Sequence, residues 1–205
     1  LRVSNTGAQF NIRGFKALAY GHLTTKDSTS IGSKGSGFRG LLNWAERIVI
    51  HSGDFHVSFS KVFADQMFAE NKHHLNIQIQ FEEYRKTKGK ELSFPMLSMP
   101  QFIKKNENQN SYDTVIEVMI DETMNKGDFN VHTQLEELNY EILLFLPNIN
   151  GLVIENQNSK VSYAKRQGQD NIITIEKIID GTKSEEKYDV EREKLNDDDK
   201  YIIIA

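Results

Sequence analysis

The chain has 205 residues, of which 25 are basic and 29 acidic, and its formal net charge is −4. This balance lacks the basic excess of nucleic-acid-binding domains, and the absence of cysteine excludes disulfides, thiolate zinc sites and cysteine nucleophiles. Hydrophobic residues make up 38% of the chain, which suffices for a core, but no apolar run approaches the ~20 residues that cross a bilayer. At ~150 residues per domain, the length corresponds to about one and a half domains. The sequence therefore predicts a soluble, cytoplasmic protein.

Short β-rich runs lie at both ends of the sequence. Residues 1–4 precede the turn Asn5-Thr6-Gly7, and residues 201–205 form the last apolar run. Because strand patterns reach the first and the last residue, we expect the chain to be part of a larger protein.

Apolar spacing and turn residues divide the first half of the chain into short elements. Residues 21–37 are rich in Gly, Ser, Thr and Lys and show no apolar period, which predicts a long mobile loop. Ser60 is the predicted N-cap of a further helix. The other predicted elements are a helix over residues 11–21, a short helix over 38–45, and two strands over 47–52 and 54–59 joined by a turn at Ser52-Gly53.

The second half is predicted to be mainly β. Residues 113–121 alternate as a strand, and residues 135–146 show helical spacing that Pro147 should end. Residues 75–84 fit either a helix or a strand, and residues 86–90 are predicted as a solvated turn. Four short β runs complete the chain, at residues 152–155, 160–165, 171–178 and 200–205.

A glycine motif separates the predicted loop from the short helix after it. Gly32-Ser33-Lys34-Gly35-Ser36-Gly37 has the pattern GxxGxG. Glycines let a backbone approach an anion closely, and a helix starting near Phe38 would direct unpaired N–H groups at it, so the motif suits a polyphosphate. It lacks the Gly-Lys-Ser/Thr ending of a P-loop and the preceding strand of a Rossmann fingerprint. Taken alone, it is more typical of a flexible surface loop.

The order of these motifs resembles the Bergerat-type ATP-binding fold. The predicted order is a turn with Asn5 and Gly7, a helix, a polar loop, GxxGxG, a short helix, paired strands and a strand opening on Thr114. The same order is typical of gyrase, MutL, histidine kinases and the ninety-kilodalton heat-shock chaperones. Residues 31–53, IGSKGSGFRGLLNWAERIVIHSG, are most similar to the chaperone-like and sacsin-like branch. The resemblance covers roughly residues 1–154.

This resemblance implies an α+β fold. Residues 1–154 would form a two-layer α/β sandwich with helices on one face of a mixed, mainly antiparallel sheet, and residues 155–205 would be a β-rich appendage that starts a further domain. In this family, the helix that carries the general-base Glu and the magnesium-binding Asn precedes the first of these motifs. Catalytic residues are therefore expected upstream of Leu1, and none is assigned in this chain.

The resemblance also implies which residues would bind ATP, with Mg²⁺ as its counter-ion. Asn5 takes the place of the family's adenine-binding Asp, and its amide oxygen can accept a hydrogen bond from the amino group, although its NH2 can equally face the ring. Gly7 would let the base lie against the backbone, and the Thr114 hydroxyl would support the adenine-binding group. The phosphates would be wrapped and neutralised by Lys26, Gly32, Ser33, Lys34, Gly35, Ser36, Gly37 and Phe38.

Three functions fit these motifs. The first is an ATPase module of a larger chaperone-like or defence-type protein, in which ATP orders residues 21–37 as a lid and drives clamp closure or homodimer formation, while other domains bind protein clients. The second is a non-catalytic interaction module of the same fold, in which Asn5 marks lost nucleotide binding. The third is a DNA-handling clamp, which the net charge does not favour. No membrane partner is expected.

Other conspicuous side chains have ordinary structural interpretations. Phe38 and Trp44 lie on the apolar face of one predicted helix, which is more typical of a core than of a base-stacking platform. Neighbouring residues do not share a helix face, so His73 and His74 are predicted to be a surface pair. His51 and His56 lie on the predicted hairpin and can approach each other, but without a third ligand they predict no transition-metal site.

We expect Gly35→Ala or Gly37→Ala to weaken ATP binding by the full-length protein without lowering its melting temperature, because a Cβ would block the approach of phosphate to the backbone. Isothermal titration calorimetry measures the affinity, and a thermal melt measures the stability. Unchanged affinity with a lowered melting temperature would instead mark these glycines as structural.

Overall fold

Two compact units make up the chain, Leu1–Lys126 and Gly127–Ala205. The predicted boundary after residue 154 falls inside the second unit, and the division into an ATP-binding domain and a following domain stays a prediction. The structure is a computed structural model that describes residues 1–19, 37–71, 73–74, 79, 82–83, 86–87, 95–104, 112–123, 126–127, 130–155, 159–169, 171–194 and 201–204. The loop predicted over residues 21–37 therefore lies outside the described residues except for Gly37, as do most of residues 75–84 and 86–90.

The first unit combines short helices with antiparallel strands. In chain order its elements are β1 (Arg2–Asn5), α1 (Ile12–Ala19), α2 (Gly37–Gly40) with a 3-10 turn at Leu41–Asn43, β2 (Ala45–Ser52), β3 (Phe55–Ser60), α3 (Lys61–Asn71), a 3-10 turn at Met96–Ser98, β4 (Gln101–Phe102) and β5 (Thr114–Ile120). The sequence prediction of β1, α1, β2, β3, α3 and β5 is confirmed to within a few residues. The short helix predicted over residues 38–45 ends earlier, because the chain enters β2 at Ala45.

The strands of this unit form one sheet in the order β1-β5-β2-β3-β4, and every neighbouring pair is antiparallel. β5 is the last strand of the first unit in sequence, but it lies between β1 and β2. In this register Thr114 is opposite both Asn5 of β1 and Ser52 of β2. The topology therefore gathers the ends of three strands at one place.

One face of this sheet carries the core of the unit. Successive side chains of a strand point to opposite faces, and Ile48 and Ile50 of β2 are fully buried while Val49 between them is not. Their partners across the β2–β3 pair, Phe59 and Val57, are buried with them. The residues that cover this face are Phe15 of α1 and Met96 and Leu97 of the second 3-10 turn. Phe38 and Trp44 pack against the same cluster, which confirms their interpretation as core residues.

The second unit is mainly β. Its elements are α4 (Val131–Glu136), α5 (Ile142–Phe145), β6 (Gly151–Glu155), β7 (Lys160–Gln167), β8 (Ile172–Ile179), β9 (Thr182–Asp189), β10 (Glu191–Lys194) and β11 (Tyr201–Ile204). Strands β6 to β9 form an antiparallel meander, and β10 pairs with β11 alone. The buried residues of its hydrophobic cluster are Leu143, Leu144, Tyr163, Ile173, Ile175 and Val190. The four β runs predicted after residue 151 are confirmed.

The single helix predicted over residues 135–146 is wrong. Two short helices, α4 and α5, occupy this region, and the chain turns between them. Asn130 starts α4 early because its side-chain oxygen accepts hydrogen bonds from the backbone N–H groups of His132 and Thr133. Asn139 forms a turn by accepting from the N–H of Glu141 at 2.9 Å. Local side-chain capping therefore overrides a continuous helical spacing.

Both units are mixed α/β with antiparallel sheets and few helices, as the predicted α+β class requires. In the first unit, α1 and α2 contribute apolar residues to the cluster on one face of the sheet. Among the described residues, no helix is long and apolar enough to cross a membrane. The Bergerat-type arrangement itself stays a prediction.

We expect Ile50→Ala to lower the free energy of unfolding by about 2–5 kcal/mol, because it leaves a cavity in the cluster between sheet and helices. The matched control is Ile12→Ala, since Ile12 is 52% exposed on α1 and its truncation should cost at most about 0.5–1 kcal/mol. Urea denaturation of both variants measures the difference. Equal losses would contradict the assignment of the core to this face.

Candidate functional site

Two hydroxyl side chains form the buried centre of the place where β1, β2 and β5 meet. Ser52 ends β2 and is 1% exposed, and Thr114 starts β5 and is 2% exposed. Their oxygens, Ser52 Oγ and Thr114 Oγ1, are 2.6 Å apart. A buried hydroxyl without a partner is costly, so this hydrogen bond fixes the two strand ends against each other.

Ser52 also connects β5 with the segment that leads into α1. Its Oγ accepts a hydrogen bond from the backbone N–H of Phe10 at 2.9 Å and lies 3.3 Å from the carbonyl oxygen of Asp113. A serine hydroxyl has one proton to donate. If Ser52 donates it to the Asp113 carbonyl, the Thr114 hydroxyl must donate to Ser52. One side chain then holds three segments of the chain together.

The Asp113 carboxylate holds the turn that follows β1. Its Oδ2 accepts from the backbone N–H of Gly7 at 2.9 Å, and its Oδ1 accepts from Gln9 Nε2 at 3.4 Å. Gly7 has φ +129°, a conformation that favours glycine, and a Cβ placed there would meet no heavy atom within 4 Å. The turn is thus tied down on one side, while the flank of Gly7 is open.

Asn5 is exposed at the end of β1, opposite Thr114. Its Nδ2 donates to the Thr6 carbonyl oxygen at 3.4 Å. Within the described part of the chain, its Oδ1 has no hydrogen-bond donor. The amide oxygen is therefore presented as an acceptor next to the open flank of Gly7. The structure thus brings together three of the predicted residues, Asn5, Gly7 and Thr114.

The predicted phosphate-binding residues are only partly described. Lys26, Gly32, Ser33, Lys34, Gly35 and Ser36 lie outside the described residues. Gly37 starts α2, and Phe38 is half-buried against the core, so its side chain serves packing. Arg39 of α2 donates from Nη2 to the carbonyl oxygens of Ala19 at 3.2 Å and Leu18 at 3.5 Å. The end of α1 and the start of α2 are therefore held next to each other.

Sequence reasoning missed Ser52, Asp113 and Arg39. Ser52 was interpreted only as part of the Ser52-Gly53 turn, and Asp113 only as the first residue of a strand. Their partners lie far away in sequence, since the bond from Gly7 to Asp113 spans 106 residues. A weak signal exists for Asp113, because a carboxylate at a strand end beside Thr114 can accept backbone N–H groups.

The two histidines of the hairpin approach each other as predicted. His51 and His56 are paired residues of β2 and β3, and their Nδ1 atoms are 2.9 Å apart. Burial, together with the neighbouring His56, lowers the pKa of His51. Over the described residues, no group of three or more His, Cys, Asp or Glu side chains is placed to hold a metal. The other pair, His73 and His74, is exposed, in agreement with its prediction.

No protein-family model, curated protein or solved structure matches this chain significantly. The contacts of the site are therefore what bears on its function. They join an exposed amide, an open glycine turn and a buried hydroxyl pair at the ends of three strands. Asn5, Gly7 and Thr114 were chosen from the resemblance, and the fold places all three at the same end of the sheet.

We expect Ser52→Ala to lower the free energy of unfolding by about 1–3 kcal/mol, because the Phe10 N–H and the Thr114 hydroxyl lose their partner. Ser4→Ala on β1 is the control and should change it by less than about 0.5 kcal/mol. The double variant Ser52→Ala/Thr114→Val should lose less free energy of unfolding than the two single variants together, because each single substitution already removes the same hydrogen bond. Urea denaturation gives all four values, and full additivity would contradict the pairing.

Proposed function

We propose that the first unit is an ATP-binding module of Bergerat type, with its adenine site at the ends of β1, β2 and β5. The observation that carries the proposal is that Asn5 and Thr114 are opposite each other while the neighbouring Gly7 has an open flank. These residues are brought together from distant parts of the sequence by the position of β5. Recognition of a flat base requires a polar group at the edge of the base and a backbone without a side chain at its face. Asn5 would supply the first and Gly7 the second.

Adenine would be recognised at its amino group. The Asn5 Nδ2 is engaged by the Thr6 carbonyl oxygen, which leaves Oδ1 as the acceptor. An exocyclic amino group is a donor, so it complements this oxygen, whereas a carbonyl at the same position of the base does not. The base would lie against the backbone at Gly7, where a Cβ is absent. Thr114 and Ser52 would keep the strand ends in place beneath it.

The phosphates would be held by the glycine motif and by Lys34 and Lys26, with Mg²⁺ as counter-ion. Phosphate suits these residues because glycine exposes backbone N–H groups and lysine supplies a point charge. The segment that carries them begins after α1 and ends at α2. Arg39 of α2 holds the start of α2 next to the end of α1. Bound ATP would supply a phosphoryl group for hydrolysis. We propose ATPase activity for the full-length protein and assign no described residue as its general base.

Asn5 favours a second candidate function. A carboxylate is a stronger acceptor than an amide. Asn5 is exposed, and among the described residues its side chain makes a single long hydrogen bond. The same fold with a neutral residue at this position would also suit a non-catalytic interaction module, in which nucleotide binding has been lost. The two candidates differ in one measurable property, which is affinity for ATP.

We expect the full-length protein to bind ATP with Mg²⁺, and to bind ITP about tenfold or more weakly, because ITP has a carbonyl in place of the amino group and leaves the acceptor unpaired. Asn5→Ala should remove this preference. Asn148→Ala, at an exposed asparagine of the second unit, is the matched control and should keep it. Isothermal titration calorimetry with each nucleotide and each variant measures the affinities.

The possible outcomes separate the two candidates. If neither ATP nor ADP binds with Mg²⁺, the nucleotide proposal fails and the interaction module is favoured. If ATP and ITP bind equally well, the site binds nucleotides but the role of Asn5 is wrong.

A further inference from the structure

The His51 and His56 side chains lie on the face of the sheet opposite the core. Their strand neighbours Ile50 and Val57 are buried on the helix-covered face, and alternation places the two histidines on the other. His51 is 5% exposed. The two rings have centroids 5.1 Å apart and are tilted by 49°. Two imidazoles are thus held in register on paired strands, β2 and β3, each of which has a neighbouring strand on both sides.

The distance between the two ring nitrogens matches one kind of metal coordination. Imidazole nitrogens bind divalent transition metals at about 2.0–2.1 Å. Two such bonds whose Nδ1 atoms are 2.9 Å apart enclose an angle of about 90° at the metal. This is the angle between neighbouring ligands of a square-planar or tetragonal ion. In the metal-free chain the same 2.9 Å is the length of the hydrogen bond between the two rings.

We infer that His51 and His56 chelate one divalent ion of tetragonal preference, with Cu²⁺ bound most tightly. Square-planar and tetragonal nitrogen and oxygen sites are typical of Cu²⁺ and Ni²⁺, and Cu²⁺ is the stronger binder of the two. The metal would replace the hydrogen bond between the rings and bridge β2 to β3. The chain contains no cysteine, so no thiolate competes for the ion. The inference does not depend on the proposed nucleotide binding.

The surroundings of His51 leave room for the remaining ligands. His51 borders an open groove of about 750 Å³, whose charged lining residues are Arg2, Arg47, Lys104 and Glu117, while His56 does not line it. Water molecules that enter from this groove on the His51 side can complete the coordination of a two-histidine chelate. Glu117 forms an ion pair with Arg2 at 3.9 Å, and its negative charge offsets part of the repulsion between the three basic side chains and a cation. The site is therefore accessible from solvent on one side.

The decisive variants of the 205-residue chain divide its six histidines into two sets. One variant carries His22→Gln, His73→Gln, His74→Gln and His132→Gln and keeps only the pair on β2 and β3. The other carries His56→Gln alone. We expect the first to bind one Cu²⁺ per chain with the affinity of the unaltered protein. The second should bind at least about tenfold more weakly, since losing even an outer partner of a ligand costs 10–100-fold.

Titration calorimetry with Cu²⁺ in a non-coordinating buffer gives stoichiometry and affinity. Electron paramagnetic resonance of the variant that keeps only His51 and His56 should show coupling to two imidazole nitrogens. This readout remains valid even if His56→Gln fails to fold. Melting of each metal-free variant checks folding. The inference is overturned if the variant that keeps only His51 and His56 loses saturable Cu²⁺ binding, or if its spectrum shows fewer than two coupled nitrogens.

Discussion

The insertion of β5 between β1 and β2 is the constraint on which the first unit depends. Thr114, its first residue, is opposite both Asn5 and Ser52, and the buried bond of 2.6 Å between the two hydroxyls fixes this register. A slip by one residue would bring Val115 or Asp113 to face Ser52. Val115 offers the hydroxyl no partner, and Asp113 would have its carboxylate buried there, which costs free energy. The slip would also turn Val118 out of the core, because strand side chains alternate with a period of two. Packing and hydrogen bonding therefore select the same register.

The same alternation separates the two chemical features of the sheet. Ser52 and His51 are neighbours in sequence, yet Ser52 belongs to the cluster at the strand ends on the core side and His51 projects to the opposite face. Among the described residues, the apolar cluster that contains Ile48 and Ile50 lies on the first of these faces. On the other face His51 is buried as well, but its Nδ1 keeps a hydrogen-bond partner in His56, so that its burial leaves this polar atom paired. A single strand can in this way serve two sites of different chemistry.

Apolar alternation along the sequence predicted the strands whose side chains alternate between a buried and an exposed face. β2, β3, β5 and β8 alternate or are apolar throughout, and all were found from the sequence. β9 was missed because its sequence, TKSEEKYD, has no apolar alternation, and it is an exposed edge strand held only by β8. The turn that precedes it, Asp180-Gly181, has positive φ at both residues and is a strong hairpin signal that was available.

The site was less accessible to sequence reasoning than the strands. Periodicity says nothing about which strand lies next to which, so the meeting of Asn5 with Thr114 came only from the resemblance. Ser52 and Asp113 were overlooked for the same reason, since they act on Phe10 and Gly7, which are distant in sequence. A turn serine and a strand-end aspartate are ordinary until the topology supplies their partners.

Arg39 shows how the fold keeps α1 and α2 next to each other. The last carbonyl groups of a helix lack hydrogen-bond donors within it. The guanidinium of Arg39 donates to the carbonyl oxygens of Leu18 and Ala19 at the end of α1. The end of α1 and the start of α2 are thereby held next to each other. Bringing two points of a chain together costs an entropy that grows only with the logarithm of the chain length between them. Here the contacts of Arg39 and the packing of α1 and α2 against the core offset that cost, so a long stretch of sequence separates two helices that the fold keeps adjacent.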